Sequence, residues 1–147
     1  MSDPLRMFRF EWAGKVYDLR RPNLTTERAF KTFMENEDTK WAMRQKPISY
    51  EAYKDALAIA REAASANDYG WCHQGFFRAL SDIENTVQFL WYWFAQCFAE
   101  GTDLYVPSVK AMREIYAAQK KDHAAGESPL DKVLWEAVND PNPLPPE

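Results

Sequence analysis

Residues 87–98 read VQFLWYWFAQCF, and this stretch decides the fold more than any other part of the chain. Large apolar side chains stand at consecutive positions, so a helix here has no polar face at its centre. Such a helix has to be covered on all sides by the rest of the domain or by a partner. The stretch is shorter than the roughly twenty apolar residues that span a bilayer. We therefore predict a central helix over residues 82–100, with Trp91 or Trp93 mostly buried, and no membrane segment.

The residues on either side of this stretch mark the ends of the central helix. Ser81 and Glu84 have the spacing of a capping box, in which the two side chains satisfy backbone amides of the first turn. Gly101 follows the last apolar residue and belongs to the residue type that most often ends a helix. The central helix is therefore predicted to have its own start and stop signals.

The N-terminal part of the chain has the pattern of a β-hairpin over residues 7–20. Phe8, Phe10 and Trp12 alternate with Arg9 and Glu11, which is the period of a half-buried strand. Gly14 supplies a turn that tolerates positive φ, and residues 15–20 resume the strand pattern. A lone hairpin is marginal in water, so its apolar face is expected to pack on helices.

Helical spacing of apolar residues recurs through residues 25–138. Thr25 or Thr26 is the expected cap of the first helix, and residues 36–38 are expected to interrupt or kink it. The sequence therefore predicts a mostly α protein of the α+β class, with the hairpin packed on a bundle of about five helices around the aromatic-rich central helix. Residues 1–138 are expected to form a single globular domain, and residues 139–147 a Pro-rich tail that is extended and loosely held.

The composition limits the classes of partner. The chain has 147 residues, 46% hydrophobic, 15% aromatic and 27% charged, with a net charge of -4. An acidic balance without a basic patch argues against nucleic-acid binding. The two cysteines, Cys72 and Cys97, form no metal-binding pattern, and a reduced cytoplasmic location is the simplest interpretation. The first residues lack the apolar core of a signal peptide.

Candidate chemistry in the sequence is sparse. Cys72 and His73 form a conceivable nucleophile–base pair, but adjacent side chains point in different directions and no third group orients them. Residues 35–38 fit the ExxD pattern of helical nucleotide hydrolases that bind magnesium, yet the chain contains no partner ExxE motif. Motifs of phosphate-binding loops, zinc proteases and serine hydrolases are missing from the sequence. We therefore expect no catalytic residue, cofactor site or metal site.

Residues 10–22, FEWAGKVYDLRRP, resemble the opening hairpin of phage tail assembly chaperones, which often carries the form GKxYxLRxP. Residues 76–84, FFRALSDIE, and the Trp-containing helix after them are similar to the second half of the same family. Residues 107–110, PSVK, match its habit of opening a further helix. The resemblance covers roughly residues 8–120.

The resemblance implies a small non-catalytic protein that binds tape measure or tail tube proteins before the tail polymerises. Such a chaperone is expected to oligomerise or to co-purify with its client. A phage-encoded acidic inhibitor or accessory protein of a host or defence enzyme is the alternative, and a helical metal-dependent nucleotide hydrolase is a third hypothesis.

The family contributes no fixed binding motif, so the predicted partner-binding residues come from the physical reasoning above. They are aromatic residues of the hairpin, of the segment before the central helix and of that helix itself. These residues are Trp12, Tyr17, Trp71, Trp91, Tyr92 and Trp93.

Overall fold

A two-stranded antiparallel hairpin and, after it, six helices make up the part of the chain that is described, which is residues 7–124, 127–140 and 142–146 of a computed structural model. The elements in chain order are β1 (Met7–Trp12), β2 (Lys15–Arg20), α1 (Leu24–Gln45), α2 (Tyr50–Ser65), α3 (Gln74–Ala79), α4 (Ile83–Cys97), α5 (Val109–Lys121) and α6 (Pro129–Val138). The predicted fold class, a hairpin packed on helices, is confirmed. Among the described helices, none combines the length and the hydropathy that crossing a membrane requires.

The hairpin has a tight turn and one buried face. Ala13 and Gly14 both have positive φ, at 53° and 77°, as the two-residue turn of a twisted hairpin requires. Phe10 pairs with Tyr17 across the strands, and their rings stack with centroids 4.7 Å apart. The buried face packs on α4 and α6, which gives this otherwise marginal hairpin its support.

Helix α4 is the aromatic centre of the core, as predicted. Trp93 is completely buried, and its indole donates a hydrogen bond of 2.7 Å to the Arg20 carbonyl at the end of the hairpin. Phe30 of α1, Phe76 of α3 and Phe89 of α4 pack edge to face, with ring centroids 5.4 to 5.7 Å apart. This ring cluster joins three helices at the middle of the molecule.

The predicted cap of α4 is one residue too early. Asp82, not Ser81, is the N-cap, and its carboxylate accepts a hydrogen bond of 2.8 Å from the Glu84 amide. The Ser81 hydroxyl instead donates to the Arg78 carbonyl at 2.6 Å. The short turn after α3 uses Ser81, so the next residue is left to cap α4.

Two expectations for α1 were wrong. Asn23, not Thr25 or Thr26, is the N-cap, because its side chain accepts hydrogen bonds from both of their amides. The helix also runs without interruption through residues 36–38.

The apolar stripe of α1 explains why the helix continues past residues 36–38. Thr26, Phe30, Met34 and Ala42 are its buried residues, all separated by multiples of four. A four-residue step advances about 40° beyond one turn, so the stripe winds slowly around the helix. The stripe packs on the core at the start of α1 and on α2 near the end of α1.

The C-terminal segment is held on the body rather than loosely attached. Asp140 pairs with Arg21 at 3.2 Å, and both side chains are at least nine-tenths buried. The Leu24 amide donates to the Pro145 carbonyl at 3.1 Å, and Leu144 is buried. The buried ion pair and the apolar Leu144 anchor explain why a Pro-rich segment is ordered here.

Candidate functional site

Residues 38–66, here called the arm, comprise the distal part of α1, the turn after it and α2. All of them are described, and none belongs to the main core cluster. Ala42 and Ala56 are the buried residues of the arm, and α1 packs directly against α2. Two helices that meet through alanines approach closely but bury little apolar area. The arm therefore leaves most of its larger side chains at the surface.

The arm carries a concentration of exposed large apolar side chains. Ile48 is 76% exposed, Tyr50 65% and Ile59 62%, while Trp41 and Met43 are each almost half exposed. Single exposed apolar residues are ordinary, but a group within one short segment is typical of an interaction site. Tyr and Trp are the residue types that most often anchor protein partners.

The tip of the arm is basic although the whole chain is acidic. Residues 40–54 contain four basic side chains, all exposed, and one acidic side chain, whereas the chain has 18 basic and 22 acidic residues. Lys46 lies over the ring of Tyr53 at 5.5 Å, and Lys54 over the ring of Tyr50 at 5.4 Å. These contacts keep cations beside the exposed aromatic surface.

A groove of about 220 Å³ lies at the base of the arm. Its lining is mostly apolar and includes three charged residues, two of them acidic. The lining residues are Asp38, Trp41, Ala56, Ile59, Ala60, Ala63, Asp68, Tyr69 and Arg78. The Tyr69 hydroxyl donates a hydrogen bond of 2.7 Å to the Asp38 carboxylate. Burial, and then this hydrogen bond, raises the pKa of Tyr69 well above its ordinary value.

Two of the six predicted partner-binding residues are core residues. Tyr17 is 5% exposed, between Phe10 and the rings of α4, and burial raises the pKa of its hydroxyl. Trp93 is fully buried. A partner could contact either side chain only if the fold opened locally.

The other four predicted residues are half-buried, and among them the rings of Trp91 and Tyr92 are in contact, with centroids 5.6 Å apart. The indole of Trp71 donates to the Asp140 carbonyl at 3.1 Å, and that of Trp91 to the Val106 carbonyl at 3.1 Å. Tyr92 packs edge to face on Phe33, and both line an open groove along α1. Trp12 ends β1. Partner binding by these residues stays a prediction.

The two cysteines considered for chemistry donate weak hydrogen bonds to backbone carbonyls. The Cys72 thiol donates to the Asp140 carbonyl at 3.4 Å, and burial and the Asp140 carboxylate raise its pKa, whereas a nucleophilic thiol needs a lowered one. His73 is exposed at the start of α3. Burial also raises the pKa of Cys97. Within the described ranges no three His, Cys, Asp or Glu side chains form a group that could hold a metal ion.

The exposed apolar residues of the arm were not predicted from the sequence, although the sequence contains a signal for them. Pro47 and Ser49 mark a turn and a helix start, and the apolar Ile48 and Tyr50 stand directly beside them. Apolar side chains at a turn between two helices have little protein to pack against. The expected break at residues 36–38 concealed that this turn lies at the end of a long helix.

No family model matches the chain, and neither the curated proteins nor the solved structures contain one that is significantly similar to it. The resemblance of residues 10–22 to phage tail assembly chaperones is not tested by these comparisons. It stays a prediction based on those residues.

Proposed function

We propose that this protein is a non-catalytic interaction module that acts as a phage tail assembly chaperone. The observation that carries the proposal is the arm, on which exposed aromatic and aliphatic side chains lie outside the core and are bordered by cations. The core, in which Trp93 and Phe89 are completely buried, is formed without the exposed apolar residues of the arm. Exposing Ile48 and Tyr50 as well gives no benefit to folding and is favourable where another protein covers them.

In this mechanism the protein reversibly covers exposed surface of its client. A client that polymerises into a tail exposes apolar or self-associating surface before assembly, and such surface aggregates when it is left uncovered. The arm supplies apolar area for contact and charges for orientation, and its exposed surface is spread over helices and a turn rather than enclosed in a deep cavity. Contacts of this kind release a client more readily than a buried, obligate interface does.

The class of client follows from the resemblance. A hairpin of the form GKxYxLRxP opens the family of tail assembly chaperones, whose clients are tape measure and tail tube proteins. In this chain residues 14–22 have this form and comprise the turn glycine, the whole of β2 and the two residues after it. We therefore propose a tape measure or tail tube protein as the client, with the host cell cytoplasm as the place of action.

An affinity pull-down from cells expressing the source genome tests the proposal, with the chain as bait and mass spectrometry as the readout. We expect a tape measure or tail tube protein to be recovered. An unrelated acidic domain of similar size serves as the control bait. Recovery of a host or defence enzyme in place of tail proteins would contradict the chaperone proposal and favour an inhibitor.

A further inference from the structure

We propose that the outer edge of β1 binds an extended segment of a partner protein, which adds to the hairpin as a third, antiparallel strand. The segment has apolar side chains facing α6 and, on its other face, a basic residue opposite Glu11 and an acidic residue opposite Arg9. This surface shares no residue with the arm, so the inference goes beyond the proposed function. It is carried by the register of the hairpin, the groove beside β1 and the charges of that strand.

The register of the hairpin determines which backbone groups face the outer edge of β1. A two-residue turn makes Trp12 and Lys15 a hydrogen-bonded pair, and hydrogen-bonded and non-hydrogen-bonded pairs alternate along the strands from there. Arg9 and Glu11 belong to non-hydrogen-bonded pairs. Their backbone N–H and C=O groups are therefore directed away from β2, toward the outer edge.

The two edges of the sheet differ in what covers them. On β2 the same alternation directs the Arg20 carbonyl outward, and this carbonyl accepts the hydrogen bond from the Trp93 indole of α4. On β1 the outward groups of Arg9 and Glu11 have no backbone hydrogen-bond partner among the residues that the structure describes. The edge of β1 therefore presents donors and acceptors at the spacing that another strand requires.

The edge of β1 lacks three features that commonly prevent strand addition, namely a proline, a bulge and a charge facing the core. Its pairing with β2 is uninterrupted over Met7–Trp12, a segment without proline, and Phe8 and Phe10 face the core. Its charged residues, Arg9 and Glu11, are exposed and have opposite signs. They oppose pairing with a strand of uniform charge but favour a strand of alternating charge.

A groove of about 470 Å³ lies between this edge and one side of α6. The helix contributes Pro129, Lys132, Val133 and Glu136, which are three or four residues apart and so form one stripe. This stripe rises about 10 Å along the helix axis, which is the length of about three strand residues. The groove therefore has the length of a short extended segment. The other lining residues are Arg9, Phe10, Glu11, His123 and Glu127.

The positions beside β1 determine the chemistry of the bound segment. Residues directly opposite each other in a sheet project their side chains to the same face. A residue opposite Phe10 therefore faces α6, where Val133 is buried and Pro129 half-buried, and an apolar side chain suits this position. Residues opposite Arg9 and Glu11 project to the exposed face, where an acid and a base form pairs of opposite charge with them.

The order of charges in the segment matters more than its net charge. The Nε of Arg9 donates to Asp18 at 2.6 Å, but the guanidinium has more donors than one carboxylate uses, so it can pair with a second carboxylate. The groove as a whole has charges of both signs, which gives no general attraction for an anion or a cation. The acidic residues are Glu11, Glu127 and Glu136, and the basic ones are Arg9 and Lys132.

The groove suits a single strand better than a second copy of the chain. Helix α6 packs against β1 beside the open edge. Two copies joined through their β1 edges would have these strands about 4.8 Å apart, whereas the axes of two packed helices need about 8–10 Å. The two α6 helices would therefore collide. A lone extended segment has no such helix.

Titration calorimetry of the full-length protein with two capped peptides tests the inference directly. The first peptide, Thr-Val-Lys-Val-Glu-Val-Thr, places its Lys opposite Glu11 and its Glu opposite Arg9 in the antiparallel register. The second, Thr-Val-Glu-Val-Lys-Val-Thr, has the same composition and net charge but exchanges the two. We expect the first to bind about fivefold tighter at low salt, and the difference to shrink as salt screens the charges. Equal affinities would overturn the inference.

N-methylated forms of the first peptide distinguish strand addition from other contacts. The N–H of its Glu faces β1 in the antiparallel register, whereas the N–H of the Val between Lys and Glu faces away. N-methylation of the Glu should weaken binding about tenfold or more, because a hydrogen bond to the edge is lost. N-methylation of that Val leaves every bond to the edge in place and should weaken binding less than about threefold. Equal losses for the two methylated peptides would overturn the inference.

Proline substitutions at two directly opposed positions identify the edge that is used. Glu11→Pro removes an outward N–H of β1, and Val16→Pro removes one of β2, while both keep the hydrogen bonds between the strands. We expect Glu11→Pro to lose binding of the first peptide and Val16→Pro to retain it. Thermal unfolding followed by circular dichroism checks the fold of each variant. Binding by Glu11→Pro equal to that of the parent would overturn the inference.

A charge exchange tests the same edge without a proline. Arg9→Glu with Glu11→Arg keeps the net charge and should invert the preference between the two peptides. An unchanged preference in the folded variant would overturn the inference. So would a dimer in sedimentation equilibrium that Glu11→Pro abolishes, because it would show that a second copy of the chain occupies the edge. Since the edge and the arm share no residue, these results leave the proposed function to its own test.

Discussion

The side chain of Gln96 connects α4 to residues 21–26, where the chain passes from β2 into α1. Its carbonyl oxygen accepts hydrogen bonds from the Asn23 amide and from the Thr26 hydroxyl, and its amide donates to the Arg21 carbonyl at 2.9 Å. Replacing Gln96 with Leu should lower the free energy of unfolding by about 1–3 kcal/mol, because these part-buried groups lose their partner. Urea denaturation measures the change. Gln88→Leu on the same helix should have an effect within about 0.5 kcal/mol, and equal effects would contradict this account.

Tyr116 makes the stability sensitive to alkaline pH. Burial, and then the hydrogen bond of 2.7 Å that its hydroxyl donates to Asp131, raises its pKa. Above about pH 10 the unfolded chain loses a proton that the folded chain keeps, so the free energy of unfolding falls as pH rises. Tyr116→Phe should lower stability at neutral pH and decline less steeply above that pH, as urea denaturation across pH would measure. Parallel profiles for parent and variant would contradict the assignment.

The burial of a single residue could be predicted from the sequence only where its sequence neighbours made exposure of all of them unfavourable. Consecutive aromatic residues in residues 87–98 could not all face solvent, so burial of Trp91 or Trp93 was predictable, and Trp93 is the one fully buried. The partners of Gln96 and Tyr116 were not predictable, because they are 15 to 75 positions away along the chain. Hydrogen bonds of that range depend on tertiary packing, which no local pattern encodes.

At the scale of elements, the cap of α1 gives a prediction that separates neighbouring residues. Asn23→Ala should cost about 1 kcal/mol of unfolding free energy, because its side chain accepts hydrogen bonds from two amides of the first turn. Thr25→Ala, at an exposed position two residues later, should cost less than about 0.5 kcal/mol. Chemical denaturation of both variants measures this difference. A larger loss of unfolding free energy for Thr25→Ala than for Asn23→Ala would indicate that Thr25 is the cap, as expected from the sequence.

The type of most elements was readable from the sequence, whereas their ends were not. Alternation over residues 8–12 and a turn at Gly14 predicted a hairpin, and it is present. The caps of α1 and α4 were each misplaced by one to three residues, since Asn, Asp, Ser and Thr all cap helices well. The expected break at residues 36–38 was wrong because the buried stripe of α1 continues to Ala42, and both charged side chains have partners: Glu37 pairs with Lys40, and Asp38 accepts a hydrogen bond from Tyr69.

At the scale of the molecule, the pair of Arg21 and Asp140 attaches the C-terminal segment to the body. Asp140→Asn should lower the free energy of unfolding by about 3 kcal/mol or more, because the guanidinium stays buried without a carboxylate. Asp55→Asn on the exposed face of α2 removes the same charge and should have little effect. Thermal and urea unfolding measure both variants. Equal stability of the two variants would show that this contact does not hold the segment.

The whole-molecule arrangement explains why the candidate site was missed while the fold was predicted. Periodicity identifies which residues are apolar on one side of a helix, and this sufficed for the core around α4. It does not reveal that α2 packs on the distal part of α1, which leaves Ile48, Tyr50 and Ile59 exposed. Aromatic density therefore directed attention to residues 91–93, whereas the three most exposed large apolar side chains of the described residues lie on the arm.

The most direct test of the chaperone account measures the affinity of the purified protein for the tape measure and tail tube proteins of its source genome. Titrations with the parent, with Ile48→Ser, Tyr50→Ser and with Ile83→Ser would be compared. We expect the parent and Ile83→Ser to bind one of these tail proteins equally well. The Ile48→Ser, Tyr50→Ser variant should bind it at least about fivefold more weakly. Binding to neither tail protein by the correctly folded parent would contradict the account.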